Sequence, residues 1–125
     1  MLRNSRLLLI ISLFLGLLSQ AEVPELSCPD VKNNSQNWKL VDVRTPEEYV
    51  GELGHIAGAE LVTLGPQLTA YLEKQSPKEK IIFICRSGSR SIKAVKQSQS
   101  LGLENTVSMR GGMLEWNRLG YPTQK

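Results

Sequence analysis

The residues best suited to covalent chemistry in this 125-residue chain stand together at Cys85-Arg86-Ser87-Gly88-Ser89-Arg90. They follow an apolar run, Ile81-Ile82-Phe83-Ile84, and precede a segment that starts like a helix at Ser89 or Ser91. Four consecutive apolar residues without polar alternation suit a parallel strand covered on both faces. Ligands of parallel sheets bind at the carboxyl ends of the strands. A helix beginning there presents unpaired N–H groups and a partial positive charge, a ready anion site. A cysteine in that field, beside Arg86 and Arg90, is expected to favour its thiolate. Gly88 would let the loop wind tightly enough for successive N–H groups to point at the sulfur. The expected chemistry is a nucleophilic thiolate acting on an anionic substrate. A buried structural cysteine with two surface arginines uses the same residue types and competes with it.

The only other cysteine is Cys28, in Leu26-Ser27-Cys28-Pro29-Asp30. That stretch reads as a helix start with Ser27 as N-cap and Pro29 in the first turn. Two cysteines permit one disulfide, and a Cys28–Cys85 bridge stays open from spacing alone. With one histidine, His55, and two distant cysteines, no tetrahedral metal site is available at the usual spacings. No nucleotide-binding glycine fingerprint occurs either, so no cofactor is expected.

The elements that would carry these residues alternate. Leu40-Val41-Asp42-Val43 is a short apolar run ending at Arg44-Thr45-Pro46. Thr45 is placed to cap a helix beginning at Pro46, with Glu47 and Glu48 in its positive first turn. Gly51, Gly54 and Gly58 mark a loop around His55, and Ala59 to Val62 reads as a second strand. After Thr63-Leu64-Gly65-Pro66, the spacing of Leu68, Tyr71 and Leu72 predicts one buried helix face. The Cys85 strand follows, then a helix with Ile92 and Val95 inward and Gly102 closing it. Thr106 to Met109 is a further strand, and Met113 to Leu119 a terminal helix containing Trp116. This alternation implies an α/β domain with a largely parallel sheet.

Residues 1–21 have a different character. Met1 to Arg6 is a short basic stretch, and Leu7 to Leu18 an unbroken apolar block of twelve residues. Ser19-Gln20-Ala21 then puts small residues at the −3 and −1 positions of a cut before Glu22, the secretory signal pattern. Twelve residues fall short of the roughly 20 that a membrane span needs. Cleavage, and no stable span after it, is the expectation. The mature domain would be residues 22–125. Lipid attachment at Cys28 is opposed by Glu22 and Glu25, which separate it from the apolar block.

The chain holds 15 Lys or Arg and 12 Asp or Glu, a net of +3. Without Arg3 and Arg6, thirteen basic groups face twelve acidic ones. There is no Lys/Arg run and aromatics are 6%, which argues against a nucleic-acid partner. At 41% hydrophobic and 22% charged, the composition is that of one ordinary globular domain.

Four motifs in order resemble a single rhodanese domain. They are Asp42-Val43-Arg44-Thr45-Pro46-Glu47-Glu48-Tyr49, Gly54-His55-Ile56-Ala57-Gly58-Ala59, Cys85-Arg86-Ser87-Gly88-Ser89-Arg90-Ser91, and Gly111-Gly112 with Trp116. The likeness runs from about Ser27 to Tyr121. It implies a rhodanese-like α/β fold, a central parallel sheet of about five strands with helices on both faces. It also implies sulfur transfer through a Cys85 persulfide, from thiosulfate or a similar anionic donor to cyanide or a thiol. In that scheme Arg86 and Arg90 bind the donor oxygens, and the loop from Arg86 through Ser87, Gly88 and Ser89 to Arg90 holds the substrate. Together with the export segment, the resemblance points to a periplasmic enzyme, expected to be a monomer.

Two other uses of Cys85 remain to be weighed. The loop is one residue shorter than the familiar cysteine-phosphatase signature, so its cradle is expected to fit one added sulfur rather than a phosphoryl group. Thiol redox chemistry would need Cys28 as partner, yet the resemblance places Cys28 on a helix away from the loop, a bystander. Asp42 is a supporting residue that pairs with an arginine at the sheet edge, caps a helix or braces a loop. Arg44 is expected to pair locally with Glu47 or Glu48, His55 to be structural, and Trp116 to belong to the core. Gly111 and Gly112 would form a tight turn near the loop. Trp38 has no derived role.

Overall fold

The computed structural model describes residues 23–125. The expected signal segment, residues 1–21, lies outside them. In chain order the elements are β1 (Glu25–Leu26), α1 (Cys28–Asn34), β2 (Lys39–Asp42), α2 (Pro46–Tyr49) and β3 (Glu60–Leu61). Then come α3 (Pro66–Glu73), β4 (Lys80–Ile84), α4 (Ser89–Ser100), β5 (Asn105–Met109) and α5 (Gly112–Arg118). The strands form one five-stranded sheet in the order β1-β5-β4-β2-β3, and every pairing is parallel. No helix among the described residues is long and apolar enough to cross a membrane.

The central strand explains the two-sided core. Successive side chains of a strand point to opposite faces. In β4, Ile81 and Phe83 join Cys85 in one apolar cluster with Leu68 and Leu72 of α3 and Ala94 and Val95 of α4. Ile82 and Ile84 face the other way, into a cluster with Cys28 and Val31 of α1 and Met113 and Trp116 of α5. Four apolar residues in a row were the mark of a strand covered on both sides, and all four are buried. The two cysteines therefore belong to opposite faces of the sheet, and neither is bridged.

Side-chain caps account for two of the five helix starts among the described residues. Ser27 accepts from the Asp30 N–H at 3.2 Å and caps α1. At α2, Thr45 Oγ1 accepts from the Glu48 N–H at 3.2 Å while Glu48 Oε1 accepts from the Thr45 N–H at 3.3 Å, a reciprocal capping box. Two features depart from the sequence reading. Strand β1 is an addition, too short at two residues to show a period. The inward face of α4 is Ser91, Ala94, Val95 and Ser98, and Ile92 is only half-buried. Serines fit this seam because their hydroxyls find partners on β5: Ser91 Oγ lies 2.7 Å from Ser108 Oγ, and Ser98 Oγ 2.6 Å from Thr106 Oγ1.

Candidate active site

Cys85 is the first residue beyond β4 and has no exposed surface. The chain then turns through Gly88, at φ +110° and ψ −16°, to cap α4 without a side chain. That left-handed geometry suits glycine. It aims the Gly88 and Ser91 N–H groups at Cys85 Sγ, at 3.1 and 3.3 Å. Ser91 Oγ is 3.4 Å from the sulfur and 3.0 Å from the Gly88 carbonyl, to which it donates. A hydroxyl has one proton to give. Charge on the sulfur would draw that proton from the carbonyl toward Sγ. Sulfur, backbone amides and hydroxyl thus form a site shaped for negative charge, at the carboxyl end of the central strand. Ser87 and Ser89 both lie on this loop, between the two arginines.

Turning amides inward turns carbonyls outward, and those need donors. The first turn of α5 supplies them: Met113 N–H donates to the Cys85 carbonyl at 2.8 Å and Leu114 N–H to that of Arg86 at 3.0 Å. This close approach requires glycine at 112. A Cβ on Gly112, at φ +59°, would lie 2.5 Å from both the Cys85 and Arg86 carbonyl oxygens. The Gly111-Gly112 pair therefore braces the loop from behind.

The two loop arginines have unlike surroundings. Arg86 is exposed, in a groove of about 440 Å³ lined also by Glu47, Glu48, Glu52, Leu53 and Leu114. Arg90 is instead gripped by Glu48, with Nη1 to Oε1 at 2.6 Å and Nη2 to Oε2 at 2.8 Å. The Arg90 bonds hold the Glu48 carboxyl down at about 2, below its usual 4.5, against a smaller upward push from burial. The Glu48 bonds in turn raise Arg90, with smaller contributions from the charges of Glu48, Cys85 and Asp42. A cation in the first turn of a helix opposes the helix dipole; the Glu48 carboxylate offsets that at Arg90.

Asp42 and Arg44 pair with each other, both essentially without exposure. Arg44 Nε lies 2.9 Å from Asp42 Oδ1 and Nη2 lies 2.8 Å from Oδ2. The expectation that Arg44 pairs with Glu47 or Glu48 is corrected: it reaches Glu48 only at the main-chain oxygen, 3.2 Å away, and also donates to the Gly54 carbonyl at 2.7 Å. Asp42 meets neither Arg86 nor Arg90; its partner is two residues along its own strand end. Burial decides this, since a carboxylate at the closed end of β2 needs a matched cation.

His55 is occupied structurally. Its ring stacks on Tyr49 at 3.7 Å, and Nδ1 donates to the Tyr49 carbonyl at 2.9 Å. Cys28 donates weakly to the Arg110 and Gly112 carbonyls, at 3.6 and 3.8 Å. Burial, helped by Glu115, pushes its thiol up to about 11. Trp116 is buried and donates to the Pro122 carbonyl at 2.9 Å. Trp38 packs against the same cluster beneath Lys80, whose ammonium is 5.5 Å from the ring centre. The residues that sequence reasoning missed are Glu48, Ser91 and Ser108. Glu48 left a signal, the Thr45-Pro46-Glu47-Glu48 capping pattern, which says nothing of Arg90; Ser91 stood in the Cys85 motif only as a candidate helix start; Ser108 left none.

Comparison with known proteins places the fold in a family. A family model described as "Rhodanese-like domain" matches residues 27–119. An uncharacterized protein of Synechocystis sp. is 38% identical over 86 residues, covering 69% of this chain and 46% of that protein. The chain thus spans less than half of that relative. A protein of Allochromatium vinosum named "Sulfurtransferase" is 34% identical over 90 residues, covering 71% of this chain and 80% of its own length. The crystal structure of a rhodanese-like domain protein from Staphylococcus aureus superposes with a TM-score of 0.68 at 27% identity, over 82% of this chain and 100% of that one. With the family match extending from the cap of α1 to the end of α5, over a parallel sheet of the same fold, the chain belongs to the rhodanese-like domain family.

Proposed function

We propose that this protein is a sulfurtransferase moving a sulfane sulfur from thiosulfate or a similar donor, through a Cys85 persulfide, to cyanide or a thiol. The observation that carries the reading is the convergence of two amides and one hydroxyl on Cys85 Sγ at 3.1, 3.3 and 3.4 Å. In the first half, the Cys85 thiolate attacks the outer sulfur of thiosulfate. The S–S bond to the sulfonate breaks, its electron pair leaves with sulfite, and Cys85–S–S⁻ remains. In the second half, cyanide attacks the terminal sulfur, and thiocyanate departs as the thiolate is restored. No oxidant or reductant is needed. Dividing the transfer gives two easier steps, and fixed N–H groups facing the sulfur stabilise the anion without reorganising. Exposed Arg86 meets the donor oxygens and the departing sulfite.

The loop length and the place of Cys28 argue against the two alternative uses of the cysteine. Four residues separate Cys85 from Arg90, one fewer than the phosphatase signature. Cys28 sits on the other face of the sheet with its thiol raised to about 11, a poor resolving partner. The proposal also includes export to the periplasm through residues 1–21, which cell fractionation with N-terminal sequencing of the secreted form tests. Activity is tested by a thiosulfate:cyanide assay with intact-mass analysis. Wild type should gain one sulfur on Cys85 and release thiocyanate. Turnover surviving in Cys85→Ser would end the proposal.

A further inference from the structure

Two of the three arginines around the active loop are matched by carboxylates. Arg44 is neutralised inside the protein by Asp42 at 2.8 Å. Arg90 is neutralised by Glu48 through bonds of 2.6 and 2.8 Å. Of these arginines, Arg86 alone is left without an acidic partner among the described residues. It shares its groove with Glu47 and Glu52, which also lack ion-pair partners among the described residues. The loop therefore offers a donor one unmatched cation, Arg86, and the amides of the first turn of α4, while the groove beside Arg86 carries two carboxylates. That field suits one negative charge. A second negative charge on the donor finds no further unmatched cation among these arginines, and the groove beside Arg86 adds the Glu47 and Glu52 carboxylates.

We propose that Glu48 sets the charge of the sulfur donor: by holding Arg90 in a bidentate pair, it makes the loop select monoanionic over dianionic sulfane donors. This rests on the sulfur-transfer reading above. Glu48 is a positioning residue, acting through Arg90 and not on the transferred sulfur. Thiosulfate and methanethiosulfonate probe it directly, because both deliver a sulfane sulfur and they differ by one charge. With methanethiosulfonate the Cys85 thiolate takes the outer sulfur, the S–S bond breaks, and methanesulfinate leaves with the electron pair. Charge is conserved in both cases.

The experiment uses wild type, Glu48→Gln, Glu48→Asp and the double variant Glu48→Gln/Arg90→Gln, with cyanide as common acceptor. The side-chain amide oxygen that Glu48→Gln introduces still accepts from the Thr45 N–H, so the α2 cap is kept while the Arg90 charge is released. In Glu48→Gln, KM should fall about tenfold for thiosulfate and less than about threefold for methanethiosulfonate, with kcat little changed. The fall in kcat/KM for thiosulfate with added salt should also steepen, which a purely structural role would not cause. Glu48→Asp, which keeps the charge, should hold the wild-type donor ratio. The double variant should lose the gain, because the gain acts through Arg90. Equal changes for both donors, or a higher thiosulfate KM in Glu48→Gln, would overturn the role of Glu48 while wild-type turnover leaves sulfur transfer standing. Wild type forming no Cys85 persulfide from either donor would instead remove the sulfur-transfer reading, and this inference with it.

Discussion

Removing Arg44 should unfold the domain far more readily than it slows the chemistry. The side chain is the largest of the fully buried ones among the described residues. It satisfies both Asp42 oxygens and the carbonyls of Gly54 and Glu48, tying the end of β2 to α2 and to the following loop. Arg44→Met leaves the Asp42 carboxylate buried without a counter-ion, which costs about 3–5 kcal/mol. Each carbonyl left without a donor adds about 1–3 kcal/mol. Relaxation and water entry offset part of that, so a total near 5 kcal/mol is expected, on the order of the cost of breaking a buried pair. A domain of this size holds only about 5–15 kcal/mol, and each kcal/mol moves Tm by about 4–8 °C. The unfolding midpoint should fall by about 20 °C or more. Asp42→Ala/Arg44→Met, which removes both charges, should recover at least half of the loss despite being the larger change. Urea unfolding followed by Trp38 and Trp116 fluorescence measures this, with sulfur transfer assayed in the same samples below the transition. A loss under about 1 kcal/mol for Arg44→Met, or a double variant no better than the single, would refute the account of the pair. A folded Arg44→Met protein without turnover would show that the pair acts on the reaction itself.

Other residues give separate tests. Gly112→Ala places a methyl 2.5 Å from the Cys85 and Arg86 carbonyls, whereas Gly58→Ala, also at positive φ, meets nothing within 4 Å. Both should show the backbone strain of about 1–2 kcal/mol, but only Gly112→Ala should also lose most of kcat; equal effects in the two would remove the bracing role of α5. Cys28, with its thiol raised to about 11, should resist iodoacetamide in the folded protein at about pH 8, and Cys28→Ala should retain sulfur transfer. Loss of turnover in that variant would restore a redox role. The Glu48 carboxyl is lowered from 4.5 to about 2, so its pair with Arg90 stabilises the fold fully above about pH 4.5 and loses that contribution as pH falls toward 2. Partial exposure limits it to about 1 kcal/mol. The stability gap between wild type and Glu48→Gln should therefore close in urea titrations across that range, and a gap independent of pH would show that it is not electrostatic.

Much of the fold was legible because its signals are local. Ser27 and Thr45 announced helix starts through side-chain oxygens that reach a neighbouring turn. Ile81 to Ile84 announced a central strand through the absence of any polar face. The order of strand, Cys85 loop and helix was readable for the same reason, since each part is contiguous. What stayed hidden depends on residues far apart in the chain. The α4 seam is the plainest case: Ser91 and Ser98 look like surface residues in sequence, yet they are buried because Ser108 and Thr106 on β5 satisfy them. Ile92 was expected in their place on apolar grounds, and it lies half-buried beside them.

The partners of the arginines were hidden by the same distance, and the topology explains which partner each one found. Strands β2 and β4 are adjacent and parallel, with Asp42 in register with Ile84. The loops leaving them start side by side, so the helices that follow present their first turns to each other. Glu48 is the third residue of α2 and Arg90 the second of α4. Each occupies a helix start, where an acid is favoured and a base is not. A nearby negative charge offsets that cost for an arginine, and the neighbouring cap supplies it. The spacing within the Cys85 loop thus makes its two arginines look equivalent, whereas the adjoining strand end separates them into one engaged cation and one open to solvent. Glu48 alone makes this division, and replacing it is the change that would make the two arginines alike.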